Sequence, residues 1–246
     1  LADAVRLTMA NAQEKGVLPM YEQKDLDAAL SAWKTINYYE NHNLTDTIKV
    51  FVKDSGHILG SAMYEITAHG SDKKIVFTGD LGNSPSLFLR DTDEITDAAY
   101  LIMESVYGDR NHEPKEERRR MFTEIVKDTI ARKRTLIIPA FSLERTQDIL
   151  YELNHLVEQS HIGDVPVFVD SPLAQKITQV YQGYTSDFKD AAKAHVAAGD
   201  DLFVFPMLKN TIRRTESEMI DKVEAPKIII AGSGMSNGGR VVRHEQ

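Results

Sequence analysis

Two short segments carry the residues best suited to metal chemistry, Asp54-Ser-Gly-His57-Ile-Leu-Gly-Ser61 and Phe77-Thr-Gly-Asp80-Leu-Gly82. In each, an imidazole or an acid follows a short β-type run and is flanked by glycine, whose freedom at positive φ lets a loop turn a side chain toward a shared centre. His57 with Asp80 is an ordinary donor pair for zinc. The same residues also read as a hydrogen-bonded histidine in packing and a common Gly-Asp turn, and two donors alone do not hold a catalytic zinc. The chain has no cysteine, which excludes disulfides and thiolate sites and leaves His, Asp and Glu as ligands. His42, His112, His155, His161, His195 and His244 show no ligand spacing and are expected at the surface, while His69 falls in a turn.

A second set of polar residues stands where strands are expected to end: Glu104-Ser105, Phe141-Ser142, Asp170-Ser171 and Gly232-Ser233-Gly234. Ligands of an open parallel sheet sit at the carboxyl ends of its strands, so a shared polar edge points to a site. Taken singly, each Ser or Asp also serves as a helix N-cap. The run Gly232-Ser-Gly-Met-Ser-Asn-Gly-Gly239 before Arg240 joins a strand end, a glycine-rich loop and a helix start. That backbone suits an anion, and it equally suits a tight turn.

Two kinds of architecture must position these groups. Helices are expected over 1–14 and from Glu22 to about Ile36, separated by Gly16 and Pro19. Segments 48–53, 61–67 and 74–78 are short and rich in Val, Ile, Phe and Tyr, with a turn at 69–72, and read as an antiparallel stretch. From about Ala98 the pattern alternates: strands at 99–103, 135–140, 165–169 and 227–231, a short segment at 202–205, and helices at 116–133, 143–159, 172–183, 186–198 and 215–222. Phe122, Ile125, Val126 and Ile130 form one helical face, and Ile149, Leu150, Leu153, Leu156 and Val157 another. Strands separated by helices of this length imply a parallel sheet with crossover connections. The expected fold class is therefore α/β, with residues 1–105 as one domain and 106–246 as the next.

The net charge of −8 argues against nucleic-acid binding through the overall field, because neutralising phosphates needs clustered Lys and Arg. Local runs remain as candidates: Arg118-Arg119-Arg120, Arg132-Lys133-Arg134, Arg213-Arg214, and Arg240 with Arg243. Apolar runs are strand-sized, well short of the ~20 residues a membrane helix needs, and a soluble, cytoplasmic protein is expected. The start at Leu1 and the helix-like Val241–Gln246 suggest an internal piece of a longer protein.

The series DSGHILGSA (54–62), FTGDLG (77–82), LIMESVYGDRNH (101–112), LIIPAFSLERTQDILYEL (136–153), DSPLA (170–174) and AGSGMSNGGR (231–240) closely resembles the β-CASP nucleases of the metallo-β-lactamase fold. The resemblance covers nearly the whole chain and keeps the motifs in fixed order. It implies a partial metallo-β-lactamase αββα sandwich over 1–105 and a β-CASP domain with a Rossmann-like parallel sheet over 106–246. It further implies a zinc-dependent ribonuclease that takes single-stranded RNA, acts in RNA processing or decay and forms a possible homodimer. By the same resemblance His57 and Asp80 are metal ligands, Asp80 bridging two zinc ions of the complete site. Glu104 is the acidic residue of the first β-CASP motif, which orients a histidine. Ser142, Arg145, Asp170 and Ser171 would line an RNA cleft. From the glycine-rich loop, Ser233, Ser236, Gly238, Gly239 and Arg240 would join them. The family's H-x-H-x-D-H motif is expected before Leu1 and its later histidine motifs after Gln246, so residues 1–246 alone are expected to be inactive. Two rivals remain: an RNA-binding relative without catalysis, and a nucleotide-binding Rossmann-like reading of 98–246.

Overall fold

A computed structural model describes residues 2–236 and 238–246. Leu1 and Asn237, both within segments singled out above, lie outside the described residues. The chain opens with helices α1 (Ala2–Glu14) and α2 (Gln23–Ser31); the second stops five residues before the expected Ile36. A five-stranded sheet follows in the order β1-β2-β3-β4-β5: β1 (Asn41–Thr45), β2 (Ile48–Asp54), β3 (Ala62–Ala68), β4 (Lys74–Phe77) and β5 (Ala98–Ile102). The β2–β3 pair is antiparallel in unbroken register from Ile48↔Ala68 to Asp54↔Ala62. Period-two alternation aims Val50 and Val52 inward, and both are buried. β5 pairs with β4 in parallel. The ends Asp54, Phe77 and Ile102 therefore deliver their loops to one edge of this sheet.

The second sheet is all parallel, in the order β6-β9-β7-β8: β6 (Thr135–Pro139), β7 (Val167–Asp170), β8 (Leu208–Asn210) and β9 (Lys227–Ala231). Central β9, KIIIA, is buried at every position, as expected of a parallel strand covered on both faces. The helices are α3 (Lys115–Ala131), α4 (Arg145–Glu158), α5 (Pro172–Gly183), α6 (Asp190–Ala197), α7 (Arg214–Met219) and α8 (Val241–His244). α4 buries Ile149, Leu150, Leu153 and Leu156 as its spacing indicated, whereas Ile125 of α3 points outward. The short segment 202–205 forms no strand. Leu202, Phe203 and Phe205 are buried as loop residues, and pairing falls instead to β8. Among the described residues, no helix is long and apolar enough to cross a membrane.

The two sheets share a seam. Residues between β4 and β5 leave the first sheet and enter the core of the parallel half, where the Phe88 ring meets Tyr151, Tyr181, Phe188 and Phe203 at 5.2–6.0 Å between centroids. Three of these pairs are edge-on and the Tyr151 pair is tilted, and such contacts add to the burial of each ring. Leu89 bridges Phe188, the Lys189 N–H donates to the Phe88 carbonyl (2.9 Å), and Arg90 pairs with Asp187 (2.7 Å). The Phe88 segment thus lies between two strands of the first sheet in sequence but packs with the later half.

Glu144 also lies at this seam. Burial pushes its carboxyl from 4.5 up to about 8, and the nearby Asp148 charge adds to the rise. With the pKa raised, the folded chain keeps a proton that the unfolded chain has released. This contribution to stability is full below about pH 4.5 and is lost as pH rises through about 8. Glu144→Gln, which does not ionise, should flatten that decline; denaturant unfolding of both proteins at about pH 5 and about pH 8.5 checks it.

Candidate functional site

The two glycine-flanked loops meet backbone to backbone. The Gly82 N–H donates to the Ser55 carbonyl (2.8 Å), and a Cβ built on Gly82 would stand 1.9 Å from the Gly56 oxygen. Gly56 itself has φ +64, and a Cβ there would meet the Thr92 nitrogen at 2.7 Å. No side chain fits at either contact. The Thr92 hydroxyl reaches the Ser55 and Gly82 carbonyls at 3.0 and 3.3 Å. The Ser61 Oγ accepts from the His57 and Ile58 N–H groups at 3.1 Å each.

These contacts bring His57 Nε2 to 3.9 Å from Asp80 Oδ2, with 43% and 78% of the two side chains exposed. The sequence pair is a spatial pair, and its donor chemistry suits zinc. Among the described residues, no group of three His, Cys, Asp or Glu side chains converges to hold a metal. The pair therefore fits a catalytic zinc only as part of a larger donor set. Glu104 stands nearby in the fold: its N–H donates to Thr78 Oγ1 (3.3 Å), two residues before Asp80, and its Oε2 accepts from the Val106 N–H (2.8 Å). It was grouped above with the ends of the parallel sheet. The structure corrects this, because β5 pairs with β4 and puts Glu104 on the edge that carries His57 and Asp80.

The other three polar ends do converge. Ser142 Oγ and Ser171 Oγ share a hydrogen bond of 3.0 Å, and both lie within 4.0 Å of where a Gly232 side chain would begin. Ser171 also caps α5 through the Ala174 N–H (3.2 Å), so its capping role is real alongside any other. The 232–240 loop folds back on itself. The Ser233 N–H donates to the Gly238 carbonyl (3.2 Å) and the Val241 N–H to the Gly232 carbonyl (2.8 Å). Gly239, at φ +73, passes so close to Gly232 that an added Cβ would sit 2.4 Å from its oxygen. Arg145 is exposed and only loosely paired with Asp148 (3.4 Å). Ser236 Oγ donates to Glu245 (2.6 Å).

Asp170 does not line a cleft. It is wholly buried, and its carboxylate is taken up by Ser217 Oγ (2.6 Å), Arg240 Nη1 (2.7 Å), His244 Nε2 (2.7 Å) and the Thr211 hydroxyl. Burial alone would raise this carboxyl; the hydrogen bonds from His244, Ser217, Thr211 and Arg240 outweigh it and hold the carboxyl well below the usual carboxylate range. Arg240, expected at the RNA surface, spends its guanidinium on Asp170 and on the Thr211 and Ile212 carbonyls. His244, expected at the surface, is buried, its side chain only 1% exposed. Its spacing of four from Arg240 at a helix start was the available signal, since such residues share a helix face. The basic runs are largely neutralised on their own helices or by a neighbour: Arg119 by Glu152, Arg120 by Glu117 and Glu124, Arg132 by Asp128, Arg214 by Glu218.

Comparison with known proteins adds the family. The Beta-Casp domain model matches residues 146–246. Residues 146–246 thus carry a Beta-Casp domain. It is 31% identical over 227 residues to Ribonuclease TTHA0252 of Thermus thermophilus, covering 92% of this chain and 51% of that protein. It is 33% identical over 229 residues to an RNase J-like protein of Methanocaldococcus jannaschii, covering 91% and 52%. Cleavage and polyadenylation specificity factor 73 of Drosophila melanogaster is 30% identical over 250 residues, 97% of this chain and 34% of the fly protein. The chain thus spans about half or less of the length of these relatives. The parallel half contains the Beta-Casp match, and the His57–Asp80 pair lies on the sheet before it.

Within the β-CASP half, Asp170→Asn leaves Arg240 and His244 beside an acceptor without charge. We expect a loss of about 3–5 kcal/mol, the usual result of removing one partner from a buried charged network. Urea unfolding of the variant against the native chain measures it.

Proposed function

We propose that this chain is part of a zinc-dependent ribonuclease that hydrolyses RNA phosphodiester bonds. The observation that carries the reading is the convergence of His57 Nε2 and Asp80 Oδ2 at 3.9 Å in a chain that carries a Beta-Casp domain. Relatives named as ribonucleases and as a polyadenylation factor support RNA as the substrate class. His57 and Asp80 would hold metal together with donors beyond these two. Bound there, zinc supplies Lewis-acid stabilisation and an activated water for an in-line displacement at phosphorus. The remaining work falls to the chain's own groups. Glu104 orients a partner by hydrogen bond, a role in which loss lowers turnover more than metal content. Ser142, Ser171 and the folded 232–240 backbone offer hydroxyls and N–H groups, and Arg145 offers an exposed cation; such groups position phosphates and carry no base information. Asp170, Arg240 and His244 hold that surface in shape from beneath.

In the intact protein, Asp80→Ala should abolish both bound zinc and RNA cleavage while circular dichroism stays native. Glu104→Gln should lower turnover by about 10-fold or more at unchanged zinc content. Residues 1–246 alone should bind zinc weakly and leave RNA uncut, because two donors do not complete a site. Metal analysis with a single-stranded RNA cleavage assay decides; cleavage retained by Asp80→Ala removes the metal role.

A further inference from the structure

The His57 loop is fixed on its own side by the Gly82–Ser55 contact and the Ser61 hydroxyl, and a further attachment comes from the other half of the molecule. The Leu59 N–H donates to Tyr181 Oη (3.2 Å), although the two residues lie 122 positions apart, and the Leu59 side chain packs against the core of the parallel half. Tyr181 is 1% exposed on α5, too deep for its hydroxyl to be satisfied by solvent. That hydroxyl donates in turn to an oxygen of the Glu144 carboxyl group.

Glu144 is held there by unusual backbone. It has φ +61 and ψ −58, and the Arg145 N–H donates across it to the Leu143 carbonyl (2.8 Å). This is a γ-turn of the rarer, strained hand, at a residue that is not glycine. Conformations of that kind persist only where the surroundings over-determine them, and they gather at functional sites. The strained turn spans 143–145, between Ser142 and Arg145. A continuous path of hydrogen bonds therefore runs from the 143–145 turn through Glu144 and Tyr181 to the loop that carries His57.

We infer that Tyr181 and Glu144 are positioning residues that set the place of the His57 loop against the β-CASP half, tying metal geometry to the turn between Ser142 and Arg145. Neither residue touches metal or substrate; both act through Leu59. The functional consequence rests on the reading of His57 as a metal ligand, whereas the latch itself does not.

Amide hydrogen exchange of the intact protein tests the latch apart from the chemistry. In Tyr181→Phe, which deletes only the hydroxyl, amides 55–61 should exchange about tenfold faster, the worth of one lost buried hydrogen bond, while β7 and β9 keep their protection. Glu144→Ala should act on the same segment, more weakly, because Tyr181 keeps its hydroxyl. It also serves as the test if Tyr181→Phe does not fold. Unchanged exchange at 55–61, or an equal rise over β7 and β9, would overturn the inference, since the second pattern is plain loss of stability. Zinc affinity measured on the same proteins separates the two ideas. Faster loop exchange with weaker zinc binding supports both. Faster loop exchange in a protein whose native form binds no zinc leaves the latch standing and removes the metal reading.

Discussion

The contact of Gly82 with the Ser55–Gly56 backbone is the constraint on which the proposed chemistry depends. Two loops that leave β2 and β4, strands separated by β3, would ordinarily be kept apart by their side chains. Here Gly82 has no Cβ to meet the Gly56 carbonyl, and the gap closes until the Gly82 N–H reaches the Ser55 carbonyl at 2.8 Å. His57 and Asp80, each within two residues of that contact, are brought together as a result. The sheet supplies the ends, and the glycines supply the approach. Ser61 and Thr92 then satisfy the loop N–H and carbonyl groups that strand pairing no longer reaches, as partly buried backbone requires.

The parallel half solves a different problem by a different means. Its glycine-rich loop has little apolar side-chain material to pack, so a buried charge organises it. Asp170, at the end of β7, gathers Arg240 and His244 from the two ends of one helical turn, together with Thr211 and Ser217. Buried ion pairs add little stability over apolar packing, but breaking one is costly, so such a network enforces one arrangement. The net charge of −8 does not conflict with the proposed phosphate-facing role of this surface. Hydroxyls and backbone N–H groups do not alter net charge, and the basic runs that might have formed a broad positive field are mostly paired with local carboxylates.

Much of this was legible in the sequence where the signal is local. Short runs rich in Val, Ile, Phe and Tyr located β2 to β4, glycine-flanked His57 and Asp80 marked the paired loops, and the apolar run at 227–231 marked a strand. The losses have specific physical causes. β1, Asn41–Thr45, is a polar edge strand held by backbone pairing to β2, so no hydrophobic pattern reveals it. Leu202, Phe203 and Phe205 are apolar because they enter the core, not because they pair. Glu104 begins the strand and helix alternation in the sequence, yet its strand joins the earlier sheet; periodicity does not state which partner a strand chooses. Asp170 was read as a cap and cleft residue because its real partners lie 41–74 positions away. The Phe88 segment crosses the seam for the same reason: only the folded chain shows which core receives its ring.

The most direct measurement is the zinc affinity of the intact protein carrying Gly82→Ala, with Gly163→Ala as the control, since a Cβ at Gly163 meets nothing within 4 Å. If the close approach at Gly82 is what pairs His57 with Asp80, zinc affinity falls by about 10–100-fold, the effect typical of disturbing the residues that orient a ligand, and RNA cleavage falls with it, while Gly163→Ala and native circular dichroism are unaffected. A Gly82→Ala protein that folds, binds zinc and cuts RNA as the native protein does would contradict the account.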